Sequence, residues 1–221
     1  KAQAKQQKPS TARRRPGRPQ GSQNTPKADV TLTPELGRIA GTLDALLTLV
    51  AGYIPLTYVV LDGHFGHHNA LQMARQSHLH LISKLRYDAA LYFPSTGPYA
   101  GRGPHRKYGR TLEYHNIPAQ YLQETTVEGH IQTCLYQAPL LHKEFAHALN
   151  VVSIVKTNLH TQTRGPVILF SSDQEITYAT LRDYDSLRFQ IEFHFRDAKQ
   201  YWGLEDFRHV TPTGVTNAAN L

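Results

Sequence analysis

The chain has 221 residues, 40% of them hydrophobic and 19% charged, which is enough apolar content for a packed core and too much for a wholly disordered chain. Its single cysteine, Cys134, excludes an internal disulfide and a thiolate-rich zinc cluster, and fits a reducing compartment. The formal charge of +7 is unevenly placed: residues 1–27 hold eight Lys and Arg and no acid, leaving sixteen of the 24 bases against all 17 acids. Block charge of this kind marks a solvated arm that meets a polyanion.

In chain order, residues 1–30 are rich in Gln, Lys, Arg, Pro and Gly, without hydrophobic periodicity, and read as a basic disordered arm or linker. Within them Arg13, Arg14, Arg15, Pro16, Gly17, Arg18 and Pro19 form a Gly-Arg-Pro core flanked by arginines, which resembles an AT-hook. Two readings stand: arginines that enter a minor groove over A·T pairs, or a basic linker with no preferred partner. No apolar run reaches the roughly 18 residues needed to span a bilayer. The longest, Leu43 to Val60, is broken by Thr48, Gly52, Pro55 and Thr57.

Thr33 and Pro34 open a helix as N-cap and first helical residue. Leu36, Ile39, Ala40, Leu43, Leu46, Leu47 and Val50 then recur at three- and four-residue steps, and Gly52 ends the helix. Thr57 to Leu61 is an apolar strand of the kind expected at the centre of a sheet, closed by Asp62-Gly63. A short helix over Asn69–Gln76 and a strand over His78–Arg86 complete a parallel strand–helix–strand unit. Residues 87–130 carry turn and loop chemistry in Tyr92-Phe93-Pro94, Gly97-Pro98 and Lys107-Tyr108-Gly109. Strands return at Ile131–Tyr136, Asn150–Thr157 and Val167–Ser171, the last two as a hairpin. Thr177 to about Tyr201 has no Pro or Gly and reads as a long helix. Residues 211–221 read as the start of another helix.

At 100° per residue, Tyr184, Arg188, Glu192 and Lys199 fall within an arc of about 80° on that long helix. A carboxylate held between Arg and Lys stays ionised and suits a divalent cation, while the bases suit phosphates. The same stripe is also what an exposed helix with an i,i+4 Arg–Glu pair presents. Asp62 stands where an apolar strand ends, the position of ligand sites in open α/β sheets, and equally in a common Asp-Gly turn. His64, His67 and His68 follow it without the spacing of a zinc helix. Cys134, in an alternating strand, reads as a buried structural thiol rather than a nucleophile.

A strand-end Asp followed by Gly-His-Phe, combined with the stretch from Tyr184 to Lys199 and Gly203-Leu204-Glu205 after it, resembles the DDE transposases of bacterial insertion sequences. The group in question has a Tyr-Arg-Glu-Lys helix signature. Its usual gap between Tyr and Arg is one residue shorter than that between Tyr184 and Arg188. The resemblance implies a partial ribonuclease-H-like α/β fold, a mixed sheet flanked by helices, with a β-rich insertion before the catalytic helix. Its divisions here are a basic arm over 1–30, the first part of the core over 31–86, the insertion over 87–175 and the catalytic helix region over 176–221.

It further implies a site for two Mg²⁺ (or Mn²⁺) ions in the complete protein, with Asp62 as the second carboxylate and Glu192 as the third. Arg188, Lys199 and Tyr184 would meet DNA beside it, with Arg13, Arg14, Arg15 and Arg18 adding electrostatic affinity. Implied partners are transposon-end and target DNA and a second copy on paired ends, without a membrane, in a prokaryotic cytoplasm at the nucleoid. The family's first Asp has no counterpart: Asp29 lies at the edge of the arm, and Glu35 and Asp44 lie in a predicted helix. The chain is therefore expected to be an internal portion or a truncated product of such a transposase. The competing expectation is a non-catalytic DNA-binding remnant.

Overall fold

A computed structural model describes residues 30–98, 101 and 105–202. Helix α1 (Pro34–Val50) begins as its sequence requires, with the Thr33 hydroxyl accepting a hydrogen bond from the Leu36 amide at 3.3 Å. Gly52 follows its end at φ +81°, a conformation that favours glycine. Strand β1 (Tyr58–Val60) runs parallel to β2 (His80–Leu85), and α2 (His68–Gln76) connects them. The expected parallel unit is therefore present.

The strands that follow are β3 (Leu91–Pro94), β4 (Tyr108–Thr111), β5 (Leu122–Glu128), β6 (Ile131–His142), β7 (Leu149–Asn158) and β8 (Arg164–Ser171). All pair antiparallel, giving the order β1-β2-β8-β7-β6-β3-β4, with β5 also on β6. Helix α3 (Tyr178–Trp202) comes last.

Period-two alternation divides the sheet into two faces. Leu81, Val151, Ile168 and Phe170 point to one face, where Leu36 of α1 and Leu71 and Met73 of α2 cover them. Ile82, Val152 and Leu169 point to the other, beneath Leu181 of α3 and Ile176 just before it. Leu181 is fully buried, and burial of a leucine side chain contributes about 1.5–3 kcal/mol. Asn150 locks the start of α3 to the sheet: its amide nitrogen donates to the carbonyls of Gln174 and Ile176.

Two expectations from the sequence need correction. The Thr57–Leu61 strand is not central: among the described residues β1 pairs with β2 alone and lies at the edge of the sheet. Residues 87–130 carry more strand than their turn chemistry suggests, since they supply β3, β4 and β5 between their loops. Turn residues lie inside these strands. Gly109 of β4 passes so close to β3 that an added Cβ would stand 2.9 Å from the carbonyl oxygens of Phe93 and Pro94. Cys134 is half-buried rather than buried, and its Sγ accepts from the Thr125 hydroxyl at 3.7 Å. The arm with Arg13 to Arg18, and the helix start expected over 211–221, lie outside the described residues.

Candidate active site

Asp62 follows β1 directly and opens a 3-10 turn, Gly63–Phe65. Its carbonyl accepts from the Phe65 amide and from the Ser83 hydroxyl, each at 2.8 Å, so β2 holds the backbone in place. The turn lies hard against β2: a Cβ on Gly66 would fall 1.9 Å from the Lys84 carbonyl oxygen, a position only glycine tolerates. The Asp62 carboxylate makes no cap bond with its own turn and is 60% exposed. The backbone of Asp62 thus makes the Asp-Gly turn, while its carboxylate points away from that turn.

Helix α3 crosses the sheet toward that carboxylate. Tyr184 packs its ring on Tyr58 of β1, with centroids 5.4 Å apart. One turn on, Arg188 reaches two carboxylates: its Nη2 lies 3.5 Å from Asp62 Oδ1 and its Nη1 lies 3.0 Å from Glu192 Oε1. The Arg188 side chain is only 13% exposed, whereas the Glu192 side chain is 62% exposed. Asp62, Arg188, Glu192 and Tyr184 are therefore brought together. Lys199 is not part of this group, because it stands seven residues, or about 10 Å, farther along the exposed end of the helix.

Several supporting residues were not foreseen from the sequence. The Phe189 ring lies beneath two cations, with the Arg188 guanidinium carbon and the Lys84 Nζ each 4.4 Å from its centroid. Lys84 in turn pairs with the buried Asp185 at 3.1 Å. Arg188 is thereby packed by Phe189 while its Nε is buried without a hydrogen-bond partner. A desolvated guanidinium facing two water-exposed carboxylates makes a small, strongly polarised locus.

Tyr58 is fixed from the far side, donating its hydroxyl proton to Asp173 Oδ2 at 2.6 Å. That hydrogen bond, then burial, pushes the phenol up to about 12. Burial by itself would raise the Asp173 carboxyl. The bond from Tyr58, the Glu175 amide and the charge of His80 outweigh it and hold the group below its ordinary value. The pair is a neutral phenol on an ionised carboxylate.

The three histidines after Asp62 diverge. His64 lies 3.8 Å from Glu35, the His67 ring accepts from the Ala70 amide, and His68 is buried against Phe145. Among the described residues no three His, Cys, Asp or Glu side chains form a metal-holding group. Asp62 and Glu192 nevertheless fit a hard divalent cation as a two-carboxylate set: both are open to water, and both already converge on one positive group.

A family model described as DDE superfamily endonuclease matches residues 2–138, a span that includes Asp62 and ends in β6. No curated protein matches the chain. An eight-stranded, mostly antiparallel mixed sheet flanked by helices is consistent with the ribonuclease-H-like fold of such enzymes. Enzymes of the superfamily cleave nucleic acid and generally use divalent metals. With the match spanning well over half its length, the chain belongs to the DDE superfamily endonucleases.

Proposed function

We propose that the chain is the DNA-cleaving and strand-transferring part of an insertion-sequence transposase. The observation that carries this reading is the convergence of Asp62 and Glu192, from a strand end and a facing helix, on Arg188. In this reading Asp62 and Glu192 hold Mg²⁺ or Mn²⁺. A cation bound there supplies electrostatic stabilisation of the attacking and leaving oxygens of an in-line displacement at phosphorus.

The remaining roles belong to the chain's own side chains. Arg188, released from one carboxylate, turns its guanidinium to a DNA phosphate, a geometry suited to bidentate contact. Tyr184 sets the height of the helix over β1. Lys199 and Arg13 to Arg18 meet the DNA backbone and make binding salt-dependent. Among the described residues β1 is an edge strand, and a further strand beside it that carried a carboxylate would complete a three-acid set. Residues 31–86 and 176–221 then form the catalytic core, 87–175 the insertion and 1–30 the arm. The DNA partners are transposon ends and target, with two copies on paired ends. In this reading the protein works at the nucleoid of a prokaryotic cell; no described helix is long and apolar enough to cross a membrane.

The test is Mg²⁺-dependent cleavage of an end-bearing duplex by wild type, Asp62→Asn and Glu192→Gln. Loss of cleavage by roughly two to three orders of magnitude in both variants, with DNA affinity kept, is expected. Full activity in Glu192→Gln refutes the assignment. One observation favours a second reading, the non-catalytic DNA-binding remnant: Arg188 already pairs with both carboxylates, and no third acid joins them among the described residues. A folded wild-type chain that binds DNA but neither binds Mg²⁺ nor cleaves would establish that reading instead.

A further inference from the structure

At the opposite end of the sheet from Asp62, β3 and β4 border an open groove of about 750 Å³. That volume is in the range of sites that hold a nucleotide-sized ligand. Its walls include Phe93, Tyr121, Arg106, Arg110 and Gln120, and among the described residues no carboxylate lines it. Phe93 and Tyr121 stack nearly parallel, at 5.2 Å between centroids and 21° between planes. The Arg110 guanidinium carbon lies 5.7 Å from the Phe93 centroid. Arg106 is anchored beside β4, its Nε donating to the Tyr108 carbonyl at 2.9 Å. Both arginines are exposed, and neither forms an ion pair among the described residues.

Two properties define the ligand. Unopposed arginines select an anion, and stacked rings beside them select a flat π-surface. A nucleic-acid strand offers both, at the spacing of a phosphate and its base. A duplex presents phosphates and base edges but keeps its base faces stacked inside. Base–aromatic stacking therefore requires an unpaired stretch.

We propose that this groove binds single-stranded DNA, with Phe93 and Tyr121 as the stacking platform and Arg106 and Arg110 as phosphate contacts. The proposal rests on the reading of the chain as a DNA-processing enzyme. It adds a separate place for an unpaired strand, since β2, β8, β7 and β6 stand between β1 and β3. At about 4.8 Å per strand the groove lies roughly 24 Å across the sheet from Asp62.

The test is fluorescence anisotropy of the full chain with a labelled twelve-residue oligothymidylate and, separately, with a labelled duplex of equal length. Tyr121→Ala is expected to weaken the single strand roughly tenfold and leave duplex affinity within about twofold. Tyr121→Phe should bind as wild type. Arg110→Gln, at an exposed side chain that does not threaten folding, should lower the slope of log affinity against log salt for the single strand by about 0.7. Equal losses for single strand and duplex, or undiminished oligothymidylate binding by both Tyr121→Ala and Arg110→Gln, overturn the proposal. So does displacement of the labelled strand by thymidine monophosphate at the same nucleotide concentration, which would mark a mononucleotide site.

Cleavage by wild type and Glu192→Gln, measured alongside, separates the two ideas. Tyr121-dependent strand binding without Glu192-dependent cleavage supports the groove and sinks the transposase reading. Glu192-dependent cleavage without Tyr121-dependent strand binding does the reverse.

Discussion

Asp62, at the end of β1, and Arg188, in the third turn of α3, stand 3.5 Å apart, and the same guanidinium reaches Glu192 at 3.0 Å. A single buried cation thus ties a strand end to a helix and sits where a metal ion would have to compete with it. Removing that competitor should separate metal binding from DNA handling. Arg188→Met is expected to bind Mn²⁺ several-fold more tightly than wild type, measured by calorimetry, and to cleave DNA at least tenfold more slowly. Its stability should change by about 1 kcal/mol or less, because both carboxylates are largely in water. Unchanged Mn²⁺ affinity would show that Arg188 does not share the carboxylates with a metal.

The Lys84–Asp185 pair beside Phe189 is mostly buried, so breaking it on one side strands a charge. Asp185→Leu alone should cost on the order of 3 kcal/mol in urea unfolding. Adding Lys84→Met should recover most of that loss. If the double variant is as unstable as the single one, packing rather than charge dominates the site.

Stability should show a broad plateau in pH, with limbs traceable to named residues. Tyr58 and Tyr114 are both pushed up to about 12, the first mainly by its bond to Asp173 and the second mainly by burial. A folded-state value above the ordinary 10 means that their contribution is complete below pH 10 and is lost as pH rises through about 12. Asp173 is shifted the other way, so its contribution is present above the ordinary carboxylate value of 3.8 and fades as pH falls through its lower folded-state value. Urea midpoints measured from pH 3 to pH 12 should therefore lose part of the alkaline limb in Tyr58→Phe and another part in Tyr114→Phe. An alkaline limb unchanged in both variants contradicts this account.

Residues 1–27 hold eight basic groups and no acid. Their removal should weaken duplex binding and reduce the slope of log affinity against log salt by up to about 7, if every charge meets a phosphate. Anisotropy between 50 and 300 mM salt reads this directly. A slope left unchanged would show that the arm does not contact DNA.

Much of the fold was legible because local chemistry set it. Thr33 and Pro34 begin α1, the 3.6-residue rhythm carries it, and the absence of Pro and Gly extends α3 to Trp202. The strands β3, β4 and β5 were hidden. Their residues include Pro94 and Gly109, and most of β5 is exposed, so they carry no alternation to read. The edge position of β1 was hidden too, because pairing partners are set by long-range contacts that no window of sequence contains. At the site, helical geometry placed Tyr184, Arg188 and Glu192 on one stripe. Lys84 gave no signal, and Phe189 stood only as part of the Tyr184–Lys199 stretch, because what marks them out is a contact between β2 and α3. The loop histidines drew attention as possible ligands, but the backbone of the turn and of α2 sends them to different neighbours.

Leu181 and Asp185, both in the first half of α3, are its buried residues among those described. Leu181 and Asp185 clamp it to the sheet, and Tyr184 on Tyr58 is its fulcrum. Glu192 lies eight residues past that fulcrum, about 12 Å along the axis. A tilt of roughly 5° at the tyrosine pair then carries the carboxylate about 1 Å, a displacement of the size that costs a catalytic site about a hundredfold. The position of Glu192 relative to Asp62 is thus sensitive to an aromatic contact two helical turns before it, between Tyr184 and Tyr58.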